Sequence, residues 1–393
     1  MKATKNRYII SSILVVLAIG LLVPIYNAPV WWVSLEAPNY PEEAFPDGVR
    51  ILFHFNGVFS GCELMDKDEI FEEEALDCAH EMDTINHYVG MYPIASGGPI
   101  ELFFSIFLVA LVAVLLLTFI FVRPKVRTGI MVVGFAFIVA WMGFSFYGEG
   151  GLKYHSERYL AGRITAMGET EDEDTGETMT SGEAMIARLK ASLAESDAKM
   201  AGEAEGEAAV ELSERQQSIS YLRKAFEQDN SRMSTVGQEW KGNGAQLLAW
   251  HYEKSLGRYF RDEKVLGPMV SGIVRAGNIL FWGIVGVMVL MLVMGRNPEG
   301  RFNWLLVLAP AGLPLYFIIE YSTWLWWYGH NMNEMGAFTL KAFMPTVFGQ
   351  GKVAQFTTNS YPAYGFWLMV VFAALLVVAA LLRREPSFDE DDE

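Results

Sequence analysis

The sequence predicts an all-α polytopic membrane protein: six transmembrane helices with a mixed exterior domain that includes a helical arm. Three observations carry that reading. Apolar runs recur along the chain, each near the ~20 residues that cross ~30 Å of hydrocarbon. Short basic clusters mark alternate turns between them: Lys2/Lys5/Arg7, Arg123/Lys125/Arg127, Arg296/Arg301 and Arg383/Arg384. The 393 residues are 52% hydrophobic and 19% charged, too apolar for an ordinary soluble protein and too charged for a bare bundle.

The runs are Tyr8–Val30, Ile100–Val122, Thr128–Tyr147, Val270–Met294, Phe302–Trp324 and Ala363–Leu382. Basic turns stay in the cytoplasm. Both termini are therefore expected inside a bacterial inner membrane, with the large loops periplasmic. The first run continues through Pro24 to Val30 without a small-x-small cleavage site, which reads as an uncleaved signal anchor. Trp31, Trp32, Phe146, Tyr147, Trp324, Trp326 and Trp327 fall at the outer ends, where an aromatic belt belongs. The chain then divides into an anchor helix (1–30), a first exterior segment (31–99) and spans two and three (100–147). An acidic helical arm (148–268), spans four and five (269–325), a third exterior segment (326–362), and the last span with an acidic tail (363–393) follow.

In the first exterior segment Val49, Ile51, Phe53 and Phe55 alternate, the period of a half-buried strand. Trp31–Leu35 could be a second strand, with Pro- and Gly-rich turns between. Cys62 and Cys78 lie sixteen apart in this segment; an exported pair of this kind is read as a structural disulfide, with a thiolate metal site as the alternative. The arm opens on an acidic Gly/Thr-rich stretch and continues with an apolar stripe: Met185, Leu189, Leu193, then Leu212, Ile219, Leu222 and Phe226. From about Ser181 to Lys264 it should project from the membrane and carry partner contacts, with Trp240–Lys264 packing back toward the bilayer. The third segment has little periodicity and should be a long, packed loop.

The net charge of -16 makes nucleic acid an improbable partner and suits solubility or a basic partner outside. Haem attachment by C-x-x-C-H, a four-cysteine cluster and a nucleotide-binding loop have no counterpart in the sequence. Intramembrane charge is sparse. Glu101, Arg275 and Glu320 fall near outer ends of spans, where Arg275 and Glu320 should form a structural ion pair. All six histidines (His54, His80, His87, His155, His251, His330) and both cysteines face the exterior in this topology. Histidine and methionine together suit copper, because imidazole accepts either oxidation state and thioether prefers Cu(I). His87 with Met91, and His330 with Met332 and Met335, are the candidate ligands; His80 with Met82 and Cys78 is a further group. The rival account has the imidazoles bind backbone carbonyls and fix loops.

Four stretches occur in order: APNYPE at Ala37–Glu42, INHYVGM at Ile85–Met91, WWYGHNMN at Trp326–Asn333, and FMPTVFGQGKVAQFTTNSYPAYG at Phe343–Gly365. As a set they resemble small multi-span membrane proteins encoded among nitrous oxide reductase maturation genes, beside copper chaperones and a copper-related ABC transporter. Val89 stands where that family has Ile, and Gln355-Phe356 at its Asn-Phe position. The acidic arm departs from the short members. The resemblance implies an accessory role, not an enzyme: assembly, copper supply or electron delivery for an exported copper enzyme such as nitrous oxide reductase, with copper held transiently. The alternative is a structural docking subunit of a larger membrane complex, with no metal and no catalysis. His87 and His330 should then meet at the outer membrane surface.

Overall fold

Helix and strand boundaries follow the apolar runs and their punctuation. The computed structural model describes residues 2–38, 40, 45–62, 78–94, 98–168, 214–232, 238–260, 262–298, 300–337, 340–353 and 355–383. In chain order these form α1 (Lys2–Asn27), β1 (Trp31–Glu36), β2 (Val49–His54), β3 (Gly57–Ser60), α2 (Cys78–Tyr88), α3 (Pro99–Ile120) and α4 (Pro124–Tyr147). A 3-10 turn (Gly151–Tyr154), α5 (Glu157–Gly168), α6 (Glu214–Arg232), α7 (Gly244–Tyr259) and α8 (Glu263–Gly295) follow. The chain continues with a 3-10 turn (Arg301–Trp304), α9 (Leu305–Ala311), α10 (Leu313–His330), β4 (Gly349–Val353), β5 (Phe356–Pro362) and α11 (Tyr364–Arg383).

Among the described residues, five helices are long and apolar enough to cross a membrane: α1, α3, α4, α8 and α11. The expected fifth span, Phe302–Trp324, is instead a broken pair. Residues Phe302–Ala311 and Leu313–His330 meet at a 58° bend and count as a sixth span only together. The bend has a local cause. Pro310 sits at the end of α9 and Pro314 in the first turn of α10, and Pro314 supplies no N–H to continue the ladder. Proline also opens α3 and α4, at Pro99 and Pro124, where its missing N–H costs nothing.

The long helices pack through large side chains. Phe103, Phe104, Phe107, Phe119, Phe146 and Phe372 are almost completely enclosed. At the end bearing the basic clusters, two arginines bind helix C-termini. Arg127 donates from Nε (3.1 Å) and Nη2 (2.8 Å) to the Gly295 carbonyl that ends α8, and from Nη1 to Phe121 O (2.9 Å) just beyond α3. Arg383 donates to Ile120 O (3.1 Å), to Phe119 O and to the Ser11 hydroxyl (3.1 Å). The last carbonyls of a helix lack intrahelical partners and carry its negative dipole end, so a guanidinium satisfies both needs. Two residues of the basic clusters thus join the helix ends.

At the other end lies a five-stranded antiparallel sheet in the order β3-β2-β1-β5-β4, so the chain is not all-α. The two strands expected from alternation are β1 and β2. The third segment, expected to lack regular structure, contributes β4 and β5, and β5 pairs with β1 in the register Val33↔Ser360. Helix α2 covers one face: Cys78, Ala79, Met82 and Ile85 pack on Leu35, Val49 and Ile51. Cys62 and Cys78 stand at disulfide geometry, their Cα atoms 6.0 Å apart, tying α2 to the strand layer.

Met185, Leu189, Leu193 and Leu212 lie outside the described residues. The described part of the arm does not project. Leu222 and Phe226 of α6, with Leu247, Leu248 and Trp250 of α7, join the same core as α3 and α4. Trp250 Nε1 donates to Asp229 (2.9 Å), and Lys254 pairs with the same carboxylate (3.1 Å). Asn243 caps α7 by accepting the Gln246 N–H at 2.9 Å. An apolar stripe predicts burial but not against what; here the bundle itself is the surface buried.

Candidate functional site

The two stretches that hold the candidate copper ligands converge. Helix α2 ends at Tyr88, and Gly90 turns the chain with φ 81°. Its carbonyl accepts the Asn333 N–H at 2.7 Å, three residues beyond the end of α10. Asn333 also holds its own loop, its Oδ1 accepting the Met335 N–H at 2.9 Å. Backbones approach so closely here that a Cβ on Gly336 would lie 2.6 Å from Gly90 N, and one on Gly329 2.0 Å from Phe343 O. Met91, Tyr92, Leu256, Phe260 and Tyr328 form the cluster beneath, with Met332, Trp324 and Trp327 packed against it.

Individual ligands fare differently. Met91 is buried and Met332 half-buried in that cluster. The His87 ring lies 5.1 Å from the Phe260 ring, tilted 48° to it. His330 is exposed, stacked on Trp326 at 4.5 Å, with Nδ1 2.8 Å from Trp326 O. Met335 is exposed. Met82 belongs to the α2–sheet core instead. Among the described residues no group of three or more His, Cys, Asp or Glu side chains is arranged to hold a metal.

Two other histidines are structural. His155 is enclosed by Phe103, Phe107 and Tyr159, its Nε2 3.0 Å from Phe103 O and its Nδ1 accepting the Ser156 N–H at 2.9 Å. A carbonyl can only accept, so the proton sits on Nε2. His251, equally buried, accepts from Arg163 Nη1 at Nδ1 (3.4 Å), and burial lowers its pKa. Burial, with the Arg163 charge acting in the same direction, pulls the His155 pKa from 6.5 down to about 4, against the opposing effect of the Phe103 carbonyl. The folded ring stays neutral while the unfolded one takes up a proton. Stability is thus full above pH 6.5 and falls as pH drops toward 4, by up to ~3 kcal/mol from this ring. Melting wild type and His155→Gln between pH 7 and pH 4.5 should show a steeper acid loss in wild type. Parallel curves would remove His155 as the cause.

A second site was only half legible in sequence. Helices α1, α3 and α10, with β2 and β3, enclose a cavity of about 360 Å³. Leu22, Leu108, Val109, Val112 and Leu325 give it apolar walls, while Glu101, Glu320 and Ser105 put polar groups into it. The expected Arg275–Glu320 ion pair does not form. Arg275 is exposed and its Nε donates to Ser271 O of its own helix (3.2 Å). The bend before α10 turns Glu320 toward α3 instead, within electrostatic reach of Glu101. Glu101 Oε1 accepts the Trp324 indole N–H at 3.1 Å; Oε2 is buried without a hydrogen-bond partner. Helix depth, counted along the sequence, could not supply azimuth. A neighbouring cavity between α8 and α10 shares Tyr316, Glu320 and Trp324 with the first.

The chain matches no family model, no curated protein and no solved structure.

Proposed function

We propose that the chain is an inner-membrane accessory protein that assists assembly, copper supply or electron delivery for an exported copper enzyme, nitrous oxide reductase being the favoured client. It performs no catalysis itself in this reading. One observation supports it above others. The stretches Ile85–Met91 and Trp326–Asn333, remote in sequence, are stitched together at Gly90 and Asn333 and continue into Phe343, whose N–H donates to Gly329 O at 3.1 Å. The very segments that resemble the maturation proteins thus build one surface. The His330 geometry fits a transient ligand: with Nδ1–H donating to Trp326 O, the exposed ring keeps its Nε2 lone pair outward, the arrangement that orients metal-binding imidazoles. Met332 and Met335 offer thioethers in the same loop.

The test is Cu(I) retention by the purified chain under a chelator of known affinity. Wild type should hold copper, and His330→Ala and His87→Ala should each weaken retention about tenfold or more with expression unchanged. A wild-type chain that binds copper under neither reducing nor oxidising conditions sinks the copper role. The second reading, a docking subunit without metal, is favoured by His330 being tied to its own helix; it expects both alanine variants to co-purify with the native partner as wild type does. Sidedness is read separately. Reporter fusions after Gly148 and Asn331 should be exported and one after Lys125 cytoplasmic.

A further inference from the structure

We propose that the cavity between α1, α3 and α10 binds an amphiphilic monocation, a molecule with an apolar body and one ammonium- or phosphonium-class head, its charge held between Glu101 and Glu320. The inference does not depend on the accessory role. It starts from an imbalance. Two carboxylates line an apolar chamber within the span region, and no lysine or arginine stands among the described residues that line it. One oxygen of Glu101 is enclosed and has no hydrogen-bond donor. Carboxylates in such surroundings lose hydration that only an opposite charge or further donors can replace. Ionisable groups at membrane depth are retained for a task far more often than for stability.

The shape of the chamber selects the class of ligand. A bare metal ion would leave most of about 360 Å³ empty. That volume, walled by Leu22, Val109, Val112 and Leu325, suits a hydrocarbon or aryl body. A neutral lipid would fill the walls but bring no opposite charge to Glu320 or to the second oxygen of Glu101. The aromatic rings sharpen the choice. Tyr316, Tyr321, Trp324 and Tyr328 line the same chamber as the carboxylates, and aromatic rings attract a desolvated cation. Trp324 is also fixed in place by its hydrogen bond to Glu101.

The experiment uses the full chain in phosphatidylcholine nanodiscs, with tetraphenylphosphonium as the probe and equilibrium dialysis as the readout. One saturable site per chain is expected. Glu320→Gln keeps the side-chain shape and removes the charge; it should weaken binding tenfold or more, and Glu101→Gln should do the same. Val109→Trp fills the apolar part without touching either carboxylate and should abolish binding. Elution as a monodisperse peak is the criterion for including a variant. The proposal fails if wild type shows no saturable site. It also fails if Glu320→Gln and Val109→Trp both bind as wild type does, or if dodecanol displaces the probe as well as dodecyltrimethylammonium, which would make this a cavity for neutral lipid.

Discussion

Replacing Arg127 by methionine should lower stability by about 3 kcal/mol or more, although the residue lies far from any candidate site. The side chain is buried to 1% exposure and its guanidinium serves the ends of α3 and α8 together with the Asn303 side chain. Methionine fills similar space, so packing changes little. What is lost is a charged donor to carbonyls that no helix can satisfy, and each buried orphan acceptor costs about 1–3 kcal/mol. Lysine is the informative control. Its single ammonium cannot reproduce the planar fork that bonds Gly295 O from two nitrogens, so Arg127→Lys should fall between the two. Thermal unfolding in detergent is the measurement. A methionine variant that melts with wild type would mean that water replaces the guanidinium at these carbonyls.

Alanine at Gly90 should be nearly as damaging and far more local. Gly90 has φ 81°, where a side chain is strained, and a Cβ there would sit 2.5 Å from the Asn333 carbonyl oxygen. The backbone cannot yield without breaking the Asn333 N–H to Gly90 O bond at 2.7 Å. Strain and displaced packing together should cost about 2–4 kcal/mol. Gly150 separates the two causes. It also has positive φ, 63°, but a Cβ there meets nothing within 4 Å, so Gly150→Ala should cost only ~1 kcal/mol. Limited proteolysis between Asn331 and Phe343 should accelerate in Gly90→Ala and stay unchanged in Gly150→Ala. Equal protection in both variants would show that the Gly90 junction does not hold the outer loops.

Local pattern in the sequence was reliable where one element decides its own fate. Apolar length identified α1, α3, α4, α8 and α11, because a run of that length has few alternatives to helix, although α1 begins at Lys2 and α8 at Glu263, well before the apolar runs at Tyr8 and Val270. Alternation of Val49 and Ile51 gave β2. What failed needed a second segment. β5 is rich in Thr, Ser and Asn and reads as loop until β1 is known to lie beside it. The α9–α10 break carries proline signals at Pro310 and Pro314, but its angle, and so the direction of Glu320, depends on α9 packing against α3 and α11 and on α10 packing against α11. The meeting of residues 85–91 with 326–333 followed from a resemblance between whole stretches; no spacing within either stretch specifies the Gly90–Asn333 contact.

The pairing of β1 with β5 fixes an order of events during synthesis. Trp31 Nε1 donates to Ser360 Oγ at 2.8 Å, across 329 positions of sequence. A nascent chain that has paired β1 with β2 must therefore wait until β5 is made before that strand gains its second neighbour. Through that interval β1 presents a raw edge with Val33 and Leu35 on it, the kind of edge that recruits other chains. The same strand sits between α1 and α11, whose close packing includes the Ser11 hydroxyl bond to Ala379 O at 2.9 Å. A chain that lacks residues 356–362 would leave β1 without its β5 neighbour, one edge of the strand unpaired.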